Sequence, residues 1–179
     1  MRKFFLALAI MFPGFLLATV MVPLNINQLT EQAEKIVIGH CTDKRVYERG
    51  NMIWTEYTIK VYEVLKGGEI KEIKIRQPGG EIGDRGVKVA GAVSFGKLEE
   101  AVLFLDKEKD GAYDLIGWAQ GKFQVYWDDK TRTKYILQNL DGISFVQKDG
   151  KPVAVEPIKM ELEQFKALIK AINAQKKGK

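Results

Sequence analysis

The chain contains one histidine and one cysteine, and they are neighbours: His40 and Cys41 close the apolar run IVIGHC. A thiolate activated by an imidazole needs both groups on one face, whereas consecutive residues of a regular strand point to opposite faces. The pair therefore reads as structural, with Cys41 as a small buried hydrophobe. A Ser-His-Asp triad or a multi-histidine metal site would depend on His40 alone. Asp106, Glu108 and Asp110 alternate in DKEKDG like the start of a calcium loop. Gly111 falls sixth from Asp106, but the twelfth position is Gly117, where that loop requires a bidentate glutamate. The segment reads as a polar hairpin loop. No catalytic residue, metal site or cofactor is expected.

Two glycine-bearing segments are better suited to binding. PGGEIGDRG and its surroundings carry Arg76, Gly79, Gly80, Glu81 and Arg85, with Asp84 and Lys88 adding charge of both signs. It lacks the Gly-Lys-Ser/Thr ending of a phosphate loop, and VKVAGAV after it reads as a strand, which offers no helix N-terminus to an anion. The stretch from Pro78 to Gly91 is expected to be a loop between strands that presents a polar surface. In GWAQGKF, Trp118, Gln120 and Lys122 sit within or beside a pair of glycines and could form a ligand shelf. The competing reading makes Trp118 and Phe123 core and the glycines bulges.

These segments must be positioned by strands. Asn27 to Lys35 reads as a short helix capped at Asn25 or Asn27, leading into a strand over Ile36 to Cys41. Asp43 to Asn51 is polar and reads as a turn or wide connection. Ile53 to Leu65 alternates, with Ile53, Tyr57, Ile59 and Val61 on one parity and Glu56, Thr58 and Lys60 on the other, and predicts a long strand with one buried face. Glu72 to Gln77 should pair with it antiparallel. AVLFL, residues 101–105, has no polar alternation and predicts a central strand covered on both faces. Further strands are expected over Tyr113 to Ala119, Phe123 to Trp127 and Lys134 to Gln138. A hairpin around Asp149-Gly150 should join Ser144 to Gln147 with Val153 to Val155. Leu162, Phe165, Leu168, Ile169 and Ile172 share one helical face, which predicts an amphipathic helix over 157–175.

The 179 residues, 46% hydrophobic and 28% charged, suit one globular domain with an extension. That extension is at the front. Arg2 and Lys3 precede an uncharged run from Phe4 to Val22, the pattern of a secretory signal. Residues 1–22 are read as a signal peptide cut between Ala18 and Val22, or alternatively as an inner-membrane anchor formed by residues 4–22. Residues 23–179 form the single β-rich domain. The expected location is periplasmic or secreted. With one cysteine in the chain, no internal disulfide can support it there. The net charge of +5 lies partly in the tail AQKKGK. Basic residues are not interleaved with exposed aromatics, so nucleic acid is not an expected partner.

The segments AEKIVIGHC, YTIKVYEVLKG, QPGG, VAGAVSFGKLEEAVLFL and GWAQGKF resemble a widespread group of exported bacterial proteins of uncharacterised activity. The first part is also similar to the netrin-like or tissue-inhibitor-of-metalloproteinase-like OB-fold domains, with Ala33 to Gly39, Val64 to Gly67 and Phe95 to Leu105 matching their motifs. That resemblance implies an antiparallel OB-like barrel over about residues 33–123, extended by hairpins and the C-terminal helix. Such inhibitors place an N-terminal cysteine on the target's zinc and are disulfide-linked, and this chain has neither feature. The function expected is non-enzymatic binding of an exported protein, such as a protease. The alternatives are a small-ligand protein or enzyme using residues 78–91, and an envelope structural protein that meets the membrane only through an uncleaved N-terminal segment.

Overall fold

The structure, a computed structural model, describes residues 19–177. Up to residue 18 the expected export segment lies outside the described residues, as does Lys179 of the basic tail. The elements in chain order are β1 (Thr19–Met21), α1 (Ile26–Gln32), β2 (Lys35–Arg49), β3 (Met52–Lys66), β4 (Glu72–Pro78), β5 (Gly80–Ile82), β6 (Arg85–Val87), β7 (Glu100–Leu105), a 3-10 turn (Trp118–Gly121), β8 (Lys122–Asp128), β9 (Thr133–Gln138), β10 (Ile143–Phe145), β11 (Lys159–Glu161) and α2 (Leu162–Lys177). The fold is mainly β, built on a seven-stranded antiparallel sheet of order β11-β9-β8-β7-β2-β3-β4. Among the described residues no helix is long and apolar enough to cross a membrane.

α1 is seven residues long, too short to persist on its own. Both ends are held. Asn25 accepts the Gln28 amide and the Gln28 side chain accepts the Asn25 amide, each at 2.9 Å, which makes a capping box. At the other end Lys66 donates through Nζ to the carbonyls of Thr30 and Ala33, both at 2.6 Å.

β2 and β3 form a long hairpin whose pairing continues from Ile36 opposite Lys66 to Arg49 opposite Met52. The turn expected over Asp43 to Asn51 is therefore corrected: β2 runs on to Arg49, and the chain reverses only at Gly50 and Asn51. A register shift between Cys41 and Asp43 marks where the hairpin leaves the core. Beyond it much of the strand is exposed, so polar residues fit a strand there as well as a loop.

AVLFL occupies the middle of the sheet as β7, buried from Ala101 to Leu105. Its two faces serve two cores. Val102 and Phe104, with Ile36, Ile38, Phe123 and Ile136, meet the helices through Leu29, Leu162, Phe165 and Ile169. The rings of Phe104, Phe123 and Phe165 pack edge or tilted, with centroids 4.8–6.1 Å apart. Leu103 and Leu105 turn the other way and pack with Val37, Tyr57, Ile59, Ile73, Ile75, Tyr113 and Leu115.

Tyr113 to Ala119 is not a strand, contrary to expectation. Tyr113 makes a parallel bridge to Ile75 of β4 and Leu115 an antiparallel bridge to Leu105 of β7, after which the 3-10 turn begins. Nor is VKVAGAV a strand: β6 ends at Val87, and Gly91, at φ 82°, turns the chain instead. Where residues 78–91 were expected to be a loop, β5 and β6 form a small hairpin. The Asp149-Gly150 turn is present, but its arms make one bridge, Val146 to Pro152, while β10 pairs with β1 in parallel. α2 starts at Leu162, five residues later than expected, because Lys159 to Glu161 complete the sheet edge beside β9. Leu168, assigned to its apolar face, is exposed.

Candidate functional site

Trp54 lies on the wetter parity of β3, between buried Ile53 and Thr55. Much later in the chain, the 3-10 turn Trp118–Gly121 brings a second indole to the same cleft. Gly117 and Trp118 both have left-handed backbone, at φ 61° and 56°. For a bulky residue this conformation is rare and costs roughly 1–3 kcal/mol, and such costs cluster at functional sites. Trp118 is 37% exposed and Met52 43%.

Two clefts meet on Met52, Trp54 and Asp114. One, of about 610 Å³, continues past Pro78 and Val89 to Trp118. The other, of about 390 Å³, continues to Arg49, Arg76, Lys109 and Asp110. Together they make one open trough with an aromatic end and a charged end. In the charged end Arg76 donates through Nη2 to the Asp110 carbonyl at 3.1 Å and lies 3.9 Å from Glu56, while Arg49 lies 3.6 Å from Asp110. The Nε–H of Arg76 is buried and has no hydrogen-bond partner among the described residues.

The glycine segment forms the trough's flank. Gly79 donates to the Ile53 carbonyl at 2.8 Å, and its own carbonyl accepts the Thr55 hydroxyl at 2.7 Å. At Gly80, φ 135°, an added Cβ would stand 2.5 Å from Thr55 Oγ1, so these glycines are there for close backbone approach. Glu81 is exposed on the hairpin. Arg85 reaches across to Glu48 with Nη2 at 2.6 Å, tying the hairpin to the end of β2. Hydrogen bonding and charge from Arg85 hold the Glu48 carboxyl below its ordinary range.

Of the residues singled out in the sequence, Arg76 and Trp118 line the trough, and Gly79, Gly80, Glu81 and Arg85 belong to the adjoining hairpin. Gln120 and Lys122 lie elsewhere. Gln120 is 3% exposed, and its amide is bonded to backbone at residues 22 and 24. Lys122 is paired with Glu99 at 2.6 Å and sits 4.2 Å from the Phe95 ring centroid, which fixes the segment 94–99. Trp54 and Met52 were missed. The available signal was parity, since an indole at position 54 falls on the polar side of an alternating strand.

Cys41 is buried, and burial raises its thiol pKa, as expected of an inert small hydrophobe. Among the described residues no three His, Cys, Asp or Glu side chains gather as a metal-binding group. Comparison with models of known protein families gave no match, and comparison with curated proteins gave no significant one.

Proposed function

We propose that this chain is an exported binding domain that holds an extended segment of a partner protein in the trough between Trp54 and Trp118. The observation that carries the reading is Trp118 itself, a bulky residue in left-handed backbone with its indole on an open cleft. An apolar side chain of the partner would lie against the two indoles. Charges of both signs at the other end, from Arg49, Arg76, Lys109 and Asp110, suit a polypeptide better than a uniformly charged ligand. The export reading rests on the basic and apolar N-terminal residues, and the location proposed is the periplasm or the exterior.

The finer fold proposed is an OB-like barrel over residues 33–123. It is supported by the way the segment around Tyr113 links β4, at one edge of the sheet, to β7 in its middle. Tyr113 exchanges hydrogen bonds with β4, donating to the Lys74 carbonyl at 2.7 Å and accepting from the Arg76 amide at 3.1 Å. The same segment reaches β7, where the Ile116 amide donates to the Phe104 carbonyl at 2.9 Å. In OB folds the face of the second and third strands and the loops beside them bind ligands. Here that face holds Met52, Trp54 and Pro78.

The test is a photo-crosslinking residue in place of Met52 in the full chain, expressed in a bacterial envelope. A protein adduct that disappears in the Trp54→Ala/Trp118→Ala variant supports the reading. An adduct of undiminished yield in that variant, or no protein adduct, overturns it.

A further inference from the structure

The body of the domain holds residues 19–24 by contacts that a loose leader would not make. β1 lies parallel to β10, with Thr19 opposite Ile143 and Met21 opposite Phe145. The Met21 carbonyl accepts the Val146 amide at 3.0 Å. Next, the buried Gln120 side chain pairs with the segment as a peptide group would: its carbonyl accepts the Leu24 amide at 2.7 Å and its Nε2 donates to the Val22 carbonyl at 3.3 Å. Leu24 packs against the core under α1. Gln120 is itself anchored, since its backbone carbonyl accepts the Gln138 side-chain amide at 2.8 Å.

We infer that residues 19–24 stay on the domain after export, and that the peptide bond cut during export lies N-terminal to Thr19. This rests on the export reading above. Hydrolysis by the exporting membrane peptidase breaks one C–N bond. The hydroxyl of a water adds to the acyl carbon and its proton to the departing nitrogen, and ionisation of the new carboxyl group supplies the further proton that makes the α-ammonium. A cut between Met21 and Val22 would instead remove β1 and the acceptor of the Val146 amide. One farther on would also strip the buried Gln120 amide of its partner, and buried polar groups left unpaired are strongly disfavoured. Of the interval expected from the sequence, Ala18 to Val22, only a cut at its beginning leaves the docked strand whole.

Two measurements on the full chain test this. The first is the mass of the N-terminal peptide of chain recovered from a bacterial envelope. A first residue within the apolar run and no later than Thr19 supports the inference, and a first residue at Val20 or later overturns it. An uncut chain in the envelope also overturns the processing step, whereas an uncut chain in the cytoplasm overturns the export reading instead. The second is amide hydrogen exchange, which reads the docked strand whatever the route of export. The Leu24 and Val146 amides should exchange at least about 100-fold more slowly than in an unstructured chain. In Gln120→Ala, Leu24 should lose at least about tenfold of that protection while the Phe104 amide keeps its own. Unprotected Leu24 and Val146 in the unaltered chain would overturn the inference without any variant.

Discussion

Gln138 holds Gln120: its side-chain amide donates to the Gln120 backbone carbonyl at 2.8 Å, with both residues buried. The other half of the Gln138 amide accepts the Ile158 amide at 3.4 Å. Gln77, also buried, accepts the Val93 amide at 3.0 Å. Three buried glutamines thus hold irregular segments around residues 22–24, 93 and 158 by accepting a backbone amide from each, and Gln120 also donates to its segment through Nε2.

Gln138→Leu keeps most of the volume but strips partners from a buried carbonyl and an amide. The expected loss is about 2–6 kcal/mol, taking 1–3 kcal/mol for each unpaired group. Urea unfolding should show a lower midpoint at unchanged slope, and a loss below about 0.5 kcal/mol would contradict the role assigned.

Lys66→Met retains the aliphatic stem and removes the ammonium that caps α1. Hydrogen bonds from a charged donor contribute about 1.5–3 kcal/mol, so a loss of about 2 kcal/mol is expected. The effect should be local, with amide exchange in Ile26–Gln32 accelerating more than in β7. Uniform acceleration across both elements would show that Lys66 does something other than cap the helix.

Gly80→Ala introduces a Cβ against Thr55 Oγ1 and Val46 Cγ1, the latter at 2.8 Å, in a backbone conformation that alanine avoids. A destabilisation of about 2–3 kcal/mol is expected. Gly83→Ala, where an added Cβ meets nothing within 4 Å, serves as the comparison. It carries the positive-φ strain alone and should cost about 1 kcal/mol. Equal costs in thermal unfolding would remove the close-approach argument.

Stability should fall at alkaline pH. Burial raises the Cys41 thiol above its ordinary value of 9.0 and the Tyr57 hydroxyl above 10.0. Lys166 is raised above 10.5 chiefly by its hydrogen bond to Glu63. In each case the folded chain keeps a proton that the unfolded chain releases. The contribution is complete below the unfolded value and is lost as pH rises through the folded one. Urea midpoints should be level from pH 7 to about 8.5 and decline from about pH 9 upward. In Cys41→Ala the earliest part of that decline should vanish, and a decline unchanged in shape would exclude the thiol as its source.

The elements with one clean period were legible in the sequence. β3 alternates, AVLFL is apolar throughout, and α2 carries its stripe at helical spacing, because each presents a constant environment to successive turns or faces. The rest depended on environments that change along an element. β2 crosses from core to water at Cys41, so its second half lost the apolar signature. Lys159 to Glu161 are strand only because β9 offers an edge. At the candidate site, Arg76 and Trp118 could be named from composition, but Gln120 was taken for a surface group because glutamine seldom lies inside. Nothing local announced the backbone groups waiting for it at residues 22 and 24.

The joining of Tyr113 to β4 bears on what happens when many copies meet. A bare outer strand exposes unpaired amides and carbonyls that another chain can extend into a growing fibre. On β4 the Lys74 carbonyl and the Arg76 amide are already taken by Tyr113. At the opposite margin β11 is three residues long and passes directly into α2. Neither margin of the seven-stranded sheet thus offers a long free template to a second copy, the arrangement by which sheets avoid edge-to-edge growth.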